Sequence, residues 1–424
     1  MLSGALARWF EAASMEDTYS VGGKGASLGE MYQKLSGIGV KVPNGFTLTT
    51  EAFRDFVNAD SPEATWDNVG NPEGIGNLRS EAIACKSLSS ALEVCLRDAD
   101  ASDHLGLNGR ASLARSLVRE TPVPETVKRA IGSEYSKLCD MYYPGVDVAV
   151  RSSATTEDSA EASFAGQYES YLNVSGESEI IEKWRRCVAS MFTERSVGYH
   201  LENGMHPLDS SIAVVVMKMA RSDKACSGVM FTIDPDSGHD GVIHIGSSYG
   251  LGELVVQGVV SPDTYTIWKK GLRMGKFPIV YRTLGGKEQM MVYNEESTNE
   301  VHTIQVSLEE RKKWSLTKEE CVSLAEMGLK IEDFFGKPMD IEWAKDGISN
   351  ELFIVQARPE TIHSKSSKSK MMLYKIDEKL TSKLKKDGRV IAEGQAVGTR
   401  VGTGMVRLYR TYSEVVQGRR ELQS

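Results

Sequence analysis

The 424-residue sequence has no apolar run approaching the ~20 residues that a membrane-spanning helix needs. Its opening, MLSGALARWFEAAS, carries one early arginine but neither an apolar core nor a small-residue cleavage pattern. These absences point to a soluble chain, expected in the cytoplasm, without a membrane partner. Cysteine is sparse: Cys85, Cys95, Cys139, Cys187, Cys226 and Cys321 are scattered without a C-x-x-C pair. That usage fits a reducing compartment in which thiols act as small core residues. A basic excess is also missing. The formal net charge of −8 argues against broad nucleic-acid or anionic-membrane binding and leaves room for one local basic pocket. No internal repeat is visible. A hydrophobic content of 41% and 25% charged residues are ordinary for globular protein, and the length suffices for two or three domains.

Residues 1 to about 60 contain a glycine-rich turn, a helical stretch and a short strand, and 61–140 are polar and mostly helical by pattern, broken by Pro122 and Pro124. VDVAVRSSATTEDS (146–159) reads as a β-branched strand entering a hydroxyl-rich loop, and GESEIIEKWRRCVASMFTERSVGYHLENG as one long helix ended by Gly204. Strand-like runs dominate from SIAVVVMKM to PIVYRTL. A helix over TKEECVSLAEMGLKIEDFFG then precedes FGKPMDIEWAKDGISNELFIVQARPET (335–361). Residues 364–387 are rich in Lys and Ser and read as a solvated linker. VIAEGQAVGTRVGTGMVRLYR opens a new Val/Gly strand pattern.

Four polar positions inside the strand runs of 335–361 stand out. Asp340 and Glu342 are two residues apart, as are Gln356 and Arg358. Strand periodicity presents each pair on one face, and such a face is costly to bury unless something charged occupies it. Two carboxylates and an amide oxygen are hard ligands of the kind Mg²⁺ uses beside nucleotide phosphates, with Arg358 then facing the phosphates. The alternative is a structural ion pair across neighbouring strands. VGGKGASLGEM (21–31) places Lys24 on a glycine turn ahead of a helix, suited to an anion, although the Walker A spacing is absent. A surface turn with a solvated lysine is the plainer reading. Arg151 ends a hydrophobic strand and leads into the hydroxyls of Ser152, Ser153, Thr155 and Thr156, the acids Glu157 and Asp158, and a turn at Gly166. It suits bidentate phosphate recognition, or else a surface Arg–Glu pair. Met217 to Met219 offer an apolar slot and a hinge strand for a nucleotide base, although a methionine-rich strand is more often core.

The ordered segments GGKGASLGEM, VRSSATTEDS, ASFAGQYESYLNV, GVMFTIDP, YGLGELVVQG, PMDIEWAKDG and FIVQARPET resemble the N-terminal half of the phosphoenolpyruvate synthase (pyruvate, water dikinase) family, almost unbroken from Trp9 to Thr361. The sequence is similar, more distantly, to pyruvate phosphate dikinase and rifampicin phosphotransferase. The resemblance implies an α+β fold: a two-lobed ATP-grasp-like nucleotide-binding domain, with lobes at 1–205 and 206–362. A linker at 363–387 and the truncated start of a swivelling phosphohistidine domain at 388–424 would follow.

By motif, the resemblance assigns Lys24 and Arg151 to phosphate binding, with the loop around Gly166 and Ser170 as a cover. Asp340, Glu342 and Gln356 would hold the magnesium–triphosphate, and Arg358 would stabilise the transferring group. The implied cofactors are ATP and Mg²⁺. The implied partner is a histidine-bearing domain that later passes its phosphoryl group to pyruvate, a chemistry governed by positioning and charge neutralisation.

Several features depart from that pattern. The family histidine sits in a T-x-H-A-A type motif, yet His104, His200, His206, His239, His244, His302 and His363 all lack the small apolar pair that follows it. Met217 and Tyr168 replace glutamines usual near the base. The chain is therefore expected to be a fragment or one half of a split enzyme. The other readings are a nucleotide sensor without catalysis, or the nucleotide half of a kinase acting on a drug or phenol.

Overall fold

A computed structural model describes residues 5–60, 65–155, 169–294, 300–361 and 378–390. The chain divides into two compact units, Met1–Ser369 and Lys370–Ser424. Among the described residues the larger unit is mixed helix and sheet, as the α+β expectation required.

Its first sheet is antiparallel and runs in the order β1 (Ala7–Trp9), β2 (Gly45–Leu48), β5 (Ile212–Lys218), β3 (Val148–Ala154), β4 (Ser170–Val174). Alternation sorts the two faces. Phe46, Leu48, Val148, Val150, Val214 and Val216 enter a cluster with the helices of 50–141 and 177–202, while Ala149, Val215 and Met217 turn to the other side. There they meet Leu28, Met31 and Leu35 of helix α1 (Thr18–Leu35), which also packs against the second sheet.

The second sheet runs β13 (Leu352–Pro359), β12 (Met339–Lys345), β6 (Cys226–Phe231), β7 (Val242–Tyr249), β8 (Asp263–Trp268), β9 (Ile279–Thr283), and a separate ribbon pairs β10 (Gln289–Tyr293) with β11 (Val301–Gln305). Behind this sheet lies the helix Lys318–Phe335. Thr317 and Glu320 form its capping box and Gly336, at φ 67°, ends it. Ile341, Trp343, Met230, Ile245, Tyr265 and Ile267 pack into one buried cluster with Cys321, Leu324 and Ile331 of that helix.

Three expectations need correction. Sheet membership does not change at 205/206: β5 is the central strand of the first sheet, because its Val214–Val216 run pairs on both sides, with β2 and β3. The single helix expected through 177–204 is two, Glu177–Ser190 and Glu194–Glu202, since the Thr193 side chain accepts the Ser196 amide and starts a new helix. The Lys/Ser-rich linker contains a helix, Glu378–Lys386, in the smaller unit. The strand pattern expected beyond residue 390 lies outside the described residues.

Candidate functional site

Pairing register builds the site face of the second sheet. Asp340 stands opposite Arg358 and Glu342 opposite Gln356, so the two sequence pairs meet side by side. The Asp340 row continues through Phe231, His244, Thr266 and Tyr281, and the Glu342 row through Val229, Gly246, Thr264 and Thr283. All the charge of these two rows is gathered on β12 and β13. Arg358 donates from Nε (2.9 Å) and an Nη (2.7 Å) to Asp340 Oδ2.

A β-bulge sharpens this arrangement. Glu342 pairs with Gln356 but the next residue, Trp343, pairs with Ile354, which leaves Val355 without a counterpart in the ladder. The Val355 carbonyl accepts a hydrogen bond from Arg151 (3.2 Å). The other Nη of Arg151 donates to Glu342 Oε2 (2.7 Å) and Gln356 Oε1 (2.9 Å). Arg151 thus spans from β3 of the first sheet to both site strands of the second. Ser170 lies next to Arg151 in the β3–β4 ladder and is exposed.

Lys24 arrives by a third route. Gly22 interrupts α1 with φ 70°, ψ 172°, and a Cβ there would run into the Ser153 carbonyl, so the position needs glycine. The expected glycine turn thus stands ahead of a helix, and it also follows a short first helical turn at 18–21. Ser153 Oγ donates to the Val21 carbonyl (2.8 Å) and accepts from the Gly25 amide (3.1 Å), fixing the break against β3. Lys24 Nζ donates to the Ser152 carbonyl (3.1 Å). One turn further on, Ser27 Oγ donates to the Ala357 carbonyl (2.7 Å), between Gln356 and Arg358.

The carboxyls here are tuned apart. Burial pushes Glu342 up, but Arg151, its hydrogen bond, and the charges of Lys24 and Arg358 outweigh it and hold Glu342 below the ordinary range. Burial wins at Asp340 and raises it despite Arg358. Burial also raises Glu253, opposed by Arg151 and reinforced by Glu342. Glu253 opens the short helix Glu253–Val256 after the YGLG turn. Nothing local in the YGLGELVVQG segment singles it out; burial first, then the charges of Arg151 and Glu342, set it apart in the folded chain. His244, two strands from Asp340 in the same row, is lowered by burial.

Lys24, Arg151, Asp340, Glu342, Gln356 and Arg358 are therefore brought together. Gly166 and Tyr168 lie outside the described residues. Met217 and Met219 are 2% and 5% exposed and sit in the buried cluster with α1. The Lys218 and Met219 amides donate to the Asn44 and Asp147 carbonyls (3.0 Å each). Their side chains pack in that cluster and those two amides are engaged within the fold. Among the described residues no group of three or more His, Cys, Asp or Glu is placed to hold a metal ion by itself. Asp340, Glu342 and Gln356 offer two carboxylates and one amide oxygen.

Three cations and the carboxylates of Asp340 and Glu342 are thus gathered where the two sheets meet, and comparison with known proteins gives the class of this α+β domain. Residues 18–378 match the family described as pyruvate phosphate dikinase, AMP/ATP-binding domain, and the chain belongs to that family. It is 41% identical to a phosphoenolpyruvate synthase of Synechocystis over 98% of its length, 40% identical to one of Aquifex aeolicus over 98%, and 39% identical to one of Escherichia coli over 97%. It covers 48%, 46% and 48% of those proteins, so the chain spans about half the length of the curated relatives it matches. No helix among the described residues is long and apolar enough to cross a membrane.

Proposed function

We propose that this chain is the ATP-binding, phosphoryl-transferring half of a phosphoenolpyruvate synthase-like enzyme, with an ATP-grasp-like site between its two sheets. The observation that carries this reading is Arg151, which reaches across from the first sheet to Glu342, Gln356 and the bulged Val355 carbonyl of the second. A triphosphate entering this seam would compete with the carboxylates for Arg151 and Arg358, and would meet Lys24 at the break in α1. Asp340, Glu342 and Gln356 would hold Mg²⁺ beside the phosphates, where it supplies charge neutralisation; their donor set fits a cation that completes its shell with phosphate oxygens and water. Arg358 then faces the charge that develops on the transferring group, and Arg151 orients the chain of phosphates. Ser170, with the loop at Gly166, would cover them.

The acceptor in this reading is a histidine on a swivelling domain that passes the group on to pyruvate. Residues 388–424 would begin that domain, and the family match ends ahead of this stretch, at 378. The chain is incubated with β-labelled ATP and magnesium, alone and with a separately expressed histidine domain from a related synthase. Label on the added domain is the expected result. Bound ATP without movement of label, with a domain shown to accept phosphate from its own partner, would replace this reading with a nucleotide sensor.

A further inference from the structure

Among the described residues all strands of the first sheet precede those of the second, and the chain passes from β5 to β6 through Met219–Ala225. Arg221 sits in this crossover and is held from several sides. Its guanidinium donates through Nε and an Nη to the two oxygens of Asp223 (2.8 Å each) and lies over the Tyr293 ring, 4.1 Å from its centroid. Its Nε is 3.8 Å from Asp147 Oδ2, the same oxygen that accepts the Tyr293 hydroxyl at 3.0 Å; the Tyr143 hydroxyl donates to the other oxygen. The Arg221 backbone is pinned as well: its amide donates to Asp346 Oδ2 (3.2 Å), and its carbonyl accepts the Gly347 amide (3.0 Å). Asp147 immediately precedes β3, four residues before Arg151. Tyr293 belongs to the ribbon strand whose Met291 carbonyl accepts the Leu251 amide (2.9 Å), two residues before Glu253.

We propose that Arg221, Tyr293 and Asp147 form a clasp at the crossover that positions Arg151 against Glu342, Val355 and Gln356. They are positioning residues and act through the placing of β3 relative to the second sheet. The inference deepens the proposed Mg-ATP site and rests on it for its functional consequence. Planar stacking on Tyr293 together with a two-pronged grip on Asp223 is specific to arginine, and the Tyr293 hydroxyl links the ribbon to Asp147, the residue that leads into β3. Loss of that hydroxyl alone should loosen Arg151 without removing any group from the phosphate site.

Mg-ATP affinity of the full chain is measured by calorimetry for Tyr293→Phe, in the unsubstituted and the Arg151→Ala backgrounds. The expected result is about three- to tenfold weaker binding in the first background, the worth of one partly buried hydrogen bond, and no further loss in the second. Equal losses in both backgrounds would overturn the clasp, because it would then not act through Arg151. Arg221→Lys should weaken binding at least as much as Tyr293→Phe, and Asp147→Asn, which keeps an acceptor for the hydroxyl, should weaken it less. Small-angle scattering without nucleotide supplies a reading that does not depend on binding. Tyr293→Phe/Arg221→Ala should enlarge the radius of gyration at unchanged helix content, and an unchanged radius would count against the clasp. If the unsubstituted chain fails to bind Mg-ATP, the proposed function falls, and scattering still decides whether the clasp holds the two sheets.

Discussion

Lys287–Asp263 and Arg151–Glu342 are both ion pairs drawn away from bulk water, and they differ in how completely they are closed. Lys287 and Asp263 are wholly buried. Asp263 accepts from Lys287 Nζ (2.5 Å), the Gly285 amide, and the Ser315 amide and hydroxyl (2.8 Å each), and Lys287 Nζ also reaches the Gly285 carbonyl (3.2 Å). Arg151 and Glu342 are 14% and 22% exposed, Arg358 and Asp340 29% and 18%. A saturated, sealed pair has no cheap alternative partner and anchors the fold. A pair at the edge of water can exchange its partner for a ligand's phosphate or metal, which is the property a binding site needs.

This contrast can be broken most severely at the anchor. Lys287→Met leaves Asp263 charged and buried, and should cost about 3–5 kcal/mol of stability in urea denaturation. A loss no larger than that of a surface pair would mean that Ser315 and Gly285 satisfy Asp263 alone. Arg358→Ala, at the site, should cost the fold only about 1 kcal/mol because its pair is part-exposed, while abolishing transfer of label from β-labelled ATP; unchanged transfer would remove Arg358 from its assigned role. Glu342→Ala should weaken ATP binding roughly tenfold in the presence of magnesium and much less without it, as calorimetry would register. Equal effects would make the carboxylate structural.

The smallest effects are in pH, and they have opposite signs. Glu342 is held below its ordinary value of 4.5, so the stability it contributes is present above pH 4.5 and is lost as pH falls through its folded value. Glu253 is raised above 4.5, so its contribution is full below that pH and is lost as pH rises through its folded value. Glu253→Gln should therefore leave the chain as stable or slightly more stable at pH 7, and Glu342→Gln less stable. Denaturation at pH 4 and 7 compares the two, and a parallel response would mean that the two carboxyls do not divide as described.

What could be read in advance followed the range of the interaction. The helix Lys318–Phe335 and the i, i+2 pairs Asp340/Glu342 and Gln356/Arg358 depend on residues close along the chain or on strand period, and both are legible in the sequence. The place of β5 was not, because a run of valines pairs equally well in either sheet until its neighbours are present. Nor was the break at Met191–Thr193 in the helical stretch, since the flanking residues keep a helical pattern and only the Thr193 cap separates them. Met217 and Met219 read locally as core or as a base slot, and the fold buries both beside α1. Glu253 carries no local sign of its raised carboxyl, because its burial and the charges of Arg151 and Glu342 arise only in the folded chain.

The sequence by itself determined the chemistry on offer: the i, i+2 pairs of β12 and β13, a lysine after a glycine break, an arginine in a valine-rich strand, which the structure places mid-strand in β3 and not at the strand's end, and the ordered motifs of the pyruvate phosphate dikinase AMP/ATP-binding family. Tertiary structure decided which of these groups face one another. Arg151 and Glu342 are 191 residues apart, and the packing of the two sheets, with α1 against both, brings them to 2.7 Å. The bulge at Val355 turns a backbone carbonyl toward the same arginine. The physical reason is that side-chain direction within a strand obeys a local period, whereas the meeting of two strands depends on packing that no local pattern encodes.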